Sequence, residues 1–168
     1  MFAIRPWQDG ERIPEITALL HRAFAEHVAS GIAFGQASQS EDATAARLRH
    51  GTSFVALEDE TLVGTVSVHP PLTAPRCAWY RRPDVALFSQ LAVDPAFQRR
   101  GIGAALVEAA ERHARTLGAT ELACDTAIDA TGLVAFYHRL GFRDIDVVQW
   151  EGDDYRSIVL SKTLPTTG

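Results

Sequence analysis

Gln98-Arg99-Arg100-Gly101-Ile102-Gly103-Ala104 brings two glycines and two arginines together between a run of strand character and a run of helix character. Upstream, Phe88 to Val93 is largely apolar and is turned abruptly by Asp94-Pro95. Downstream, Ile102 to Leu117 carries apolar residues at helical spacing. A strand, a glycine-bearing loop and a helix start form one device. The first turn of a helix has N–H groups without intrahelical partners, and the helix dipole adds partial positive charge there. Glycine lets a ligand approach that backbone closely. The chemistry expected is capture of a phosphate or pyrophosphate.

The elements that must position this loop follow from pattern. Phe2 to Arg5 reads as a strand ended by Pro6. Ile13, Ile16, Leu19, Leu20, Ala23, Phe24 and Val28 outline an amphipathic helix, with Pro14 in its first turn. Residues 29–40 are small and polar and read as a loop. Glu41 to His50 is a second helix stopped near Gly51. Ser53 to Leu57 and Leu62 to Val68 are strands around a Glu58-Asp59-Glu60 turn. His69 to Pro83 holds four prolines and reads as an exposed loop. Val85 to Val93 is the strand before the glycine loop. The long helix after it stops at Gly118. Glu121 to Ala127 is a strand, and Thr131 to Leu140 a helix with Thr131 as its N-cap. Phe142 to Trp150 and Tyr155 to Leu160 form a terminal hairpin. The order β-α-α-β-β-β-α-β-α-β-β predicts an α/β fold with a mixed central sheet flanked by helices.

The 168 residues suit one domain spanning 1–168, with 46% hydrophobic and 22% charged residues as in ordinary globular chains. The net charge of −5 argues against a dedicated nucleic-acid binder and suits a cationic partner. Cys77 and Cys124 are too few for a disulfide scaffold, and no Cys/His spacing suggests a metal site. The chain shows no signal peptide and no apolar run of membrane-spanning length. The expected compartment is the cytoplasm, with no membrane partner. The terminal hairpin offers a route to a homodimer by sheet pairing.

Three phosphate-loop readings compete. A P-loop needs a Lys and a hydroxyl after its last glycine, and both are missing here. A dinucleotide fingerprint needs a third glycine, where this loop has Ala104-Ala105-Leu106. The third reading fits. Leu91-Ala92-Val93-Asp94-Pro95 through Gly101-Ile102-Gly103-Ala104 resembles the acetyl-CoA-binding segment of the GNAT superfamily of N-acetyltransferases. Its Gln/Arg-x-x-Gly-x-Gly/Ala hallmark is met by Gln98, Gly101 and Gly103. Downstream, Phe136-Tyr137-His138-Arg139-Leu140-Gly141-Phe142 resembles the family's Phe-Tyr-x-x-x-Gly-Phe element. The likeness runs from about Phe2 to Leu164, and residues 88–142 carry its specific motifs.

The resemblance implies the acyl-CoA N-acyltransferase fold, acetyl-CoA as cosubstrate without a metal, and a small-molecule or peptide amine as acceptor. It implies that the CoA pyrophosphate lies on N–H groups of Arg99, Arg100, Gly101, Ile102, Gly103 and Ala104. The pantetheine arm would pair with backbone of Leu91, Ala92 and Val93. Arg99 and Arg100 side chains would add charge, and Thr131 and Phe136 would lie along the cofactor. Tyr137 stands where the family's tyrosine donates to the departing thiolate. The family often has Asn seven residues before that Tyr and Ala four before it, where this chain has Ala130 and Leu133.

Acetyl transfer requires a neutral amine, an oxyanion donor and a proton for the thiolate. An N–H near Val93, freed by splaying of the strand, is the expected oxyanion donor. For the base, Ser89, Gln90, Asp125, His69 and a water relay all remain open. Phe24, His27, Phe34, Trp150 and Tyr155 are the candidates for an amine pocket. The alternatives to an enzyme are a CoA-binding regulatory module without catalysis and a nucleotide-binding protein.

Overall fold

A computed structural model describes residues 1–71 and 77–166. The strands are β1 (Phe2–Pro6), β2 (Thr52–Glu58), β3 (Thr61–His69), β4 (Val85–Val93), β5 (Glu121–Ala127), β6 (Arg143–Val148) and β7 (Ser157–Thr163), and the helices are α1 (Ile13–Ala29), α2 (Glu41–Arg49), α3 (Ile102–Thr116) and α4 (Thr131–Arg139). The strands form one mixed sheet in the order β1-β2-β3-β4-β5-β7-β6. β4 and β5 run parallel, while β5 with β7 and β6 with β7 are antiparallel. The expected α/β class and mixed sheet are borne out. The terminal hairpin forms too, and it inserts β7 between β5 and β6. Among the described residues no helix is long and apolar enough to cross a membrane.

The chain divides into two compact units. The first comprises Met1–Val68 and Gln90–Ala110. Its helix α1 buries Ile16, Leu19, Leu20, Ala23 and Phe24, the i, i+3, i+4, i+7, i+8 stripe of the sequence. Helix α2 starts at Ser40, whose hydroxyl accepts from the Ala43 N–H at 3.1 Å. Glu41 and Asp42 lie in its first turn, Arg47 and Arg49 in its last, so both ends complement the helix dipole. The β2–β3 turn holds Asp59 and Glu60 at φ 47° and 67°, the two positive values that a tight twisted hairpin requires. Gly64 on β3 meets α3 at close range. A Cβ there would lie 2.8 Å from Leu106 Cδ1, 3.1 Å from the Ala92 carbonyl oxygen and 3.3 Å from Ile102 Cγ2. A side chain at this position would press on the first turns of α3 and on the Ala92 carbonyl.

The second unit comprises His69–Ser89 and Glu111–Gly168. Its core gathers Cys77, Tyr80, Val85, Leu87, Ala123 and Val159. Glu121, at the head of β5, receives both Nη1 and Nη2 of Arg143 at 3.2 and 3.0 Å, with the hydroxyls of Ser161 and Thr163 at 2.7 and 2.8 Å. Burial pushes this carboxyl up, but the four donors outweigh it and hold it below the ordinary range.

The expected exposed loop at 69–83 needs correction where it is described; Leu72 to Arg76 lie outside the described residues. His69 is the last residue of β3, continuing the alternation of Val66, Ser67 and Val68. Cys77 and Tyr80 are buried, and Trp79–Arg81 forms a short 3-10 turn. The prolines punctuate this stretch, but its aromatic and thiol side chains are core residues.

Candidate active site

The glycine loop is built within the first unit. Asp94 accepts from the Ala96 N–H at 2.9 Å, which winds Pro95–Phe97 into a short 3-10 turn. Arg22 on α1 donates to the same carboxylate at 2.7 Å. Gln98 Nε2 reaches back to the Val93 carbonyl at 3.3 Å. The backbone then reverses through Arg99 at φ 64° and Gly101 at φ 82°. The Ala105 N–H bonds the Gly101 carbonyl at 3.0 Å, so α3 begins its hydrogen bonding there. By helix geometry the N–H groups of Ile102, Gly103 and Ala104 have no intrahelical acceptor. No atom lies within 4 Å of a Cβ placed on Gly101, so its own side-chain position is uncrowded. A helix start of this kind carries partial positive charge on N–H groups without intrahelical acceptors. Arg99 is exposed beside it. Arg100 is already engaged: it donates to Glu58 at 3.0 Å and stacks over Phe97 at 5.0 Å.

β4 leads into this loop. Its pairing with β5 runs through Val85, Ala86 and Leu87. Among the described residues no β5 pair is recorded for Phe88 onward. Gln90 then takes φ 58°, a left-handed value for a buried residue in a strand. Such a conformation costs about 1–3 kcal/mol and persists where surroundings over-determine it. Here the surroundings are polar. Gln39 Nε2 donates to Gln90 Oε1 at 3.1 Å and to Thr44 Oγ1 at 2.8 Å, and Thr17 donates to Thr44 at 2.8 Å. Gln90 is thus a kink whose amide oxygen is held by Gln39.

In the second unit, α4 carries Phe136 and Tyr137. Thr131 is exposed and is the first residue of the helix; Ala130 holds the N-cap position with no side-chain bond. The expected Thr131 cap is therefore corrected: the Thr131 N–H bonds the Asp129 carbonyl at 2.9 Å, and the chain enters the helix one residue earlier. Tyr137 is buried, with its ring 5.8 Å from Phe88, 5.7 Å from Phe142 and 5.3 Å from Phe136. No hydrogen bond of its hydroxyl is found among the described residues. Burial, then the nearby Cys124 and Asp125, raise its pKa well above 10, so the phenol holds its proton. Cys124 is buried and its thiol is raised in the same way.

Two further polar arrangements lie in this unit. His69 Nε2 is 2.8 Å from the hydroxyl of Ser89. The carboxylate of Asp125 accepts from Tyr80 Oη at 2.7 Å and from Trp150 Nε1 at 2.9 Å. Water reaches Asp125, yet crowding by protein raises its pKa in spite of both donors, and Asp153 adds to the rise. Trp150 stacks on Tyr80 with ring centres 6.0 Å apart and planes 14° from parallel. Burial, then Asp153 and Asp125, push Tyr155 up to about 12.

The aromatic candidates therefore separate. Phe24, His27 and Phe34 pack on one another in the first unit, at 5.2 to 5.9 Å between ring centres. Trp150 and Tyr155 stand near Asp125 in the second. Sequence reasoning placed His69 in an exposed loop, whereas it ends β3 and is buried. Its signal was the unbroken Val66-Ser67-Val68-His69 alternation, which the following prolines obscured.

Comparison with known proteins agrees with this construction. Residues 14–142 match the acetyltransferase (GNAT) family. An uncharacterised N-acetyltransferase of Methanocaldococcus jannaschii is 34% identical over 76 residues, 44% of this chain and 34% of that protein. The match thus spans about a third of the length of that curated relative. The crystal structure of the ribosomal-protein-S18-alanine N-acetyltransferase from Escherichia coli superposes with TM-score 0.74 at 19% identity, over 100% of this chain and 97% of the other. A GNAT family acetyltransferase from Elizabethkingia anophelis, solved with acetyl-CoA bound, gives TM-score 0.70 at 21% identity, over 97% and 98% of the two chains. At such identities these structures establish the shared fold. The match over residues 14–142, which takes in both the glycine loop and the Phe136-Tyr137 helix, establishes more: this chain belongs to the acetyltransferase (GNAT) family.

Proposed function

We propose that this chain transfers the acetyl group of acetyl-CoA to a primary amine of a small molecule or peptide. The carrying observation is the loop before α3, where an uncrowded Gly101 precedes helix N–H groups without intrahelical acceptors. That combination suits the pyrophosphate of CoA. The N–H groups from Arg99 to Ala104 hold it, with the Arg99 side chain free to add charge; Arg100 would first have to leave Glu58. Backbone of Leu91, Ala92 and Val93 receives the pantetheine arm. Acetyl-CoA supplies an activated thioester. An N–H near Val93 faces the developing oxyanion.

Tyr137 is the proposed donor to the leaving thiolate. Support comes from its state: protonated, buried, and with a hydroxyl not committed to any described partner. The acceptor is a cationic amine. Asp125, held by Tyr80 and Trp150 beneath a water-accessible surface, offers an ammonium its counter-charge. The overall charge of −5 favours the same class.

Calorimetry with acetyl-CoA, followed by thiol release over a panel of amines, tests the reading. Binding that Gly101→Val abolishes, with turnover of at least one amine, is the expected result. Binding without turnover on any amine would instead assign a CoA-sensing module, a reading the Ala130 substitution favours. Tight ATP or NAD binding that acetyl-CoA does not displace would refute both.

A further inference from the structure

The pair His69–Ser89 takes no part in the roles assigned so far. We infer that Ser89 and His69 are a hydroxyl–imidazole proton relay that deprotonates the acceptor amine. The inference rests on the acetyltransferase reading and supplies the base that reading lacks.

The geometry carries it. Ser89 Oγ and His69 Nε2 are 2.8 Å apart, within the range for proton transfer along a hydrogen bond. His69 is buried at 8% exposure, on the last position of β3. Ser89 differs: it is half-buried, the first residue on β4 after the buried run Val85 to Phe88. It also stands just beyond Leu87, where the recorded β4–β5 pairing ends. Ser89 is therefore partly exposed, while the imidazole it bonds is buried.

A second serine pair in the sheet shows what a static tie looks like. Ser53 and Ser67 share a 2.7 Å hydrogen bond, and both are almost fully buried. Neither can meet a ligand. Ser89 can, and its partner is a base rather than a second hydroxyl.

The step balances. The bound ammonium first loses one proton to solvent water; the neutral amine nitrogen then attacks the thioester carbonyl, and a C–N bond forms as the C=O π pair moves to oxygen. An N–H bond of the resulting ammonium breaks and its proton goes to Ser89 Oγ. The Ser89 O–H proton passes to His69 Nε2, giving an imidazolium. Collapse breaks the C–S bond and expels the CoA thiolate toward the Tyr137 hydroxyl, and the imidazolium proton leaves for solvent by way of the partly exposed Ser89 hydroxyl. No oxidant, metal or further co-reactant is needed. Ser89 would be the catalytic residue and His69 its partner, acting through it.

The test uses the full chain with acetyl-CoA and the best amine of the panel. Ser89→Ala and His69→Gln are expected to lower kcat about 100-fold. KM for acetyl-CoA should stay within about twofold of wild type, because neither residue binds the cofactor. Ser89→Thr should keep most activity, and free imidazole should restore part of the activity of His69→Ala. A merely structural tie would give neither rescue. Acetyl-CoA affinity by calorimetry serves as the check on folding. Wild-type turnover matched within about threefold by both Ser89→Ala and His69→Gln would overturn the relay alone. So would an acetyl adduct on Ser89 in mass spectra, which would make the serine a nucleophile. Wild-type protein that binds acetyl-CoA and acetylates no amine overturns the acetyltransferase reading, and the relay with it.

Discussion

Gln39 donates its side-chain amide to Gln90 at 3.1 Å, and so fastens the segment before α2 to the kink in β4. The kink is a left-handed residue in a strand, and its amide is where the strain is restrained. The strain can be separated from the tie. Gln90→Ala and Gln90→Gly both remove the hydrogen bond, but only glycine accepts φ 58° without cost. Gln90→Gly should be about 1 kcal/mol more stable than Gln90→Ala, read from urea midpoints at unchanged m. Equal stabilities would show that the backbone is relaxed there.

Gly64 sets how closely α3 approaches β3. Gly64→Ala places a methyl 2.8 Å from Leu106, against a carbonyl oxygen and Ile102 as well. A loss of about 1–3 kcal/mol in unfolding free energy is expected from overpacking. Acetyl-CoA affinity should fall too, since the first turn of α3 must shift. Thermal melts and calorimetry on one preparation check both.

Gly101 makes the opposite case. Nothing crowds its Cβ position, but φ is 82°. Gly101→Ala should cost about 1 kcal/mol in stability from the left-handed backbone. Its effect on acetyl-CoA binding should be larger than its effect on the fold, because the methyl would stand where the phosphate approaches. An unchanged dissociation constant would move the pyrophosphate elsewhere.

Tyr137→Phe should lower kcat about tenfold or more while leaving the melting temperature nearly unchanged. The reason is the lack of a described partner for the hydroxyl: its removal strands no buried group. A large loss of stability would show that the hydroxyl is structural.

The Glu121–Arg143 cluster ties stability to pH. The folded carboxyl is held below its ordinary range by its donors, against the push of burial. Its contribution is therefore complete above the unfolded carboxylate pKa, near 4.3, and disappears as pH falls through the lower folded value. Glu121→Gln should flatten the acid limb of a stability–pH curve and destabilise the protein at neutral pH by about 1–3 kcal/mol. Arg143 is half exposed, so solvent screening keeps the effect at the lower end of that range.

Much of this architecture was legible because periodicity survives folding. The α1 stripe, the Gly118 stop of α3 and the terminal hairpin follow from spacing and from residues that end helices. The glycine loop was legible for a related reason: its glycine and its positive φ are properties of the backbone itself. What escaped depends on partners distant in sequence. Nothing near Gln90 announces Gln39, and nothing near Ser89 announces His69. The prolines after His69 signal the end of a strand, but they do not say whether its last residue points inward. Thr131 misled for a local reason, since a hydroxyl at a helix start fits either the cap or the first turn, and the Asp129 carbonyl decided it.

The burial of Cys124 carries a last consequence. A protein that handles an activated thioester risks losing the acyl group to its own sulfur. A thiol raised well above its usual 9, by burial and then by the neighbouring Asp125 charge, stays protonated and is a poor nucleophile. In the proposed reaction, thioester exchange onto this sulfur is thereby suppressed.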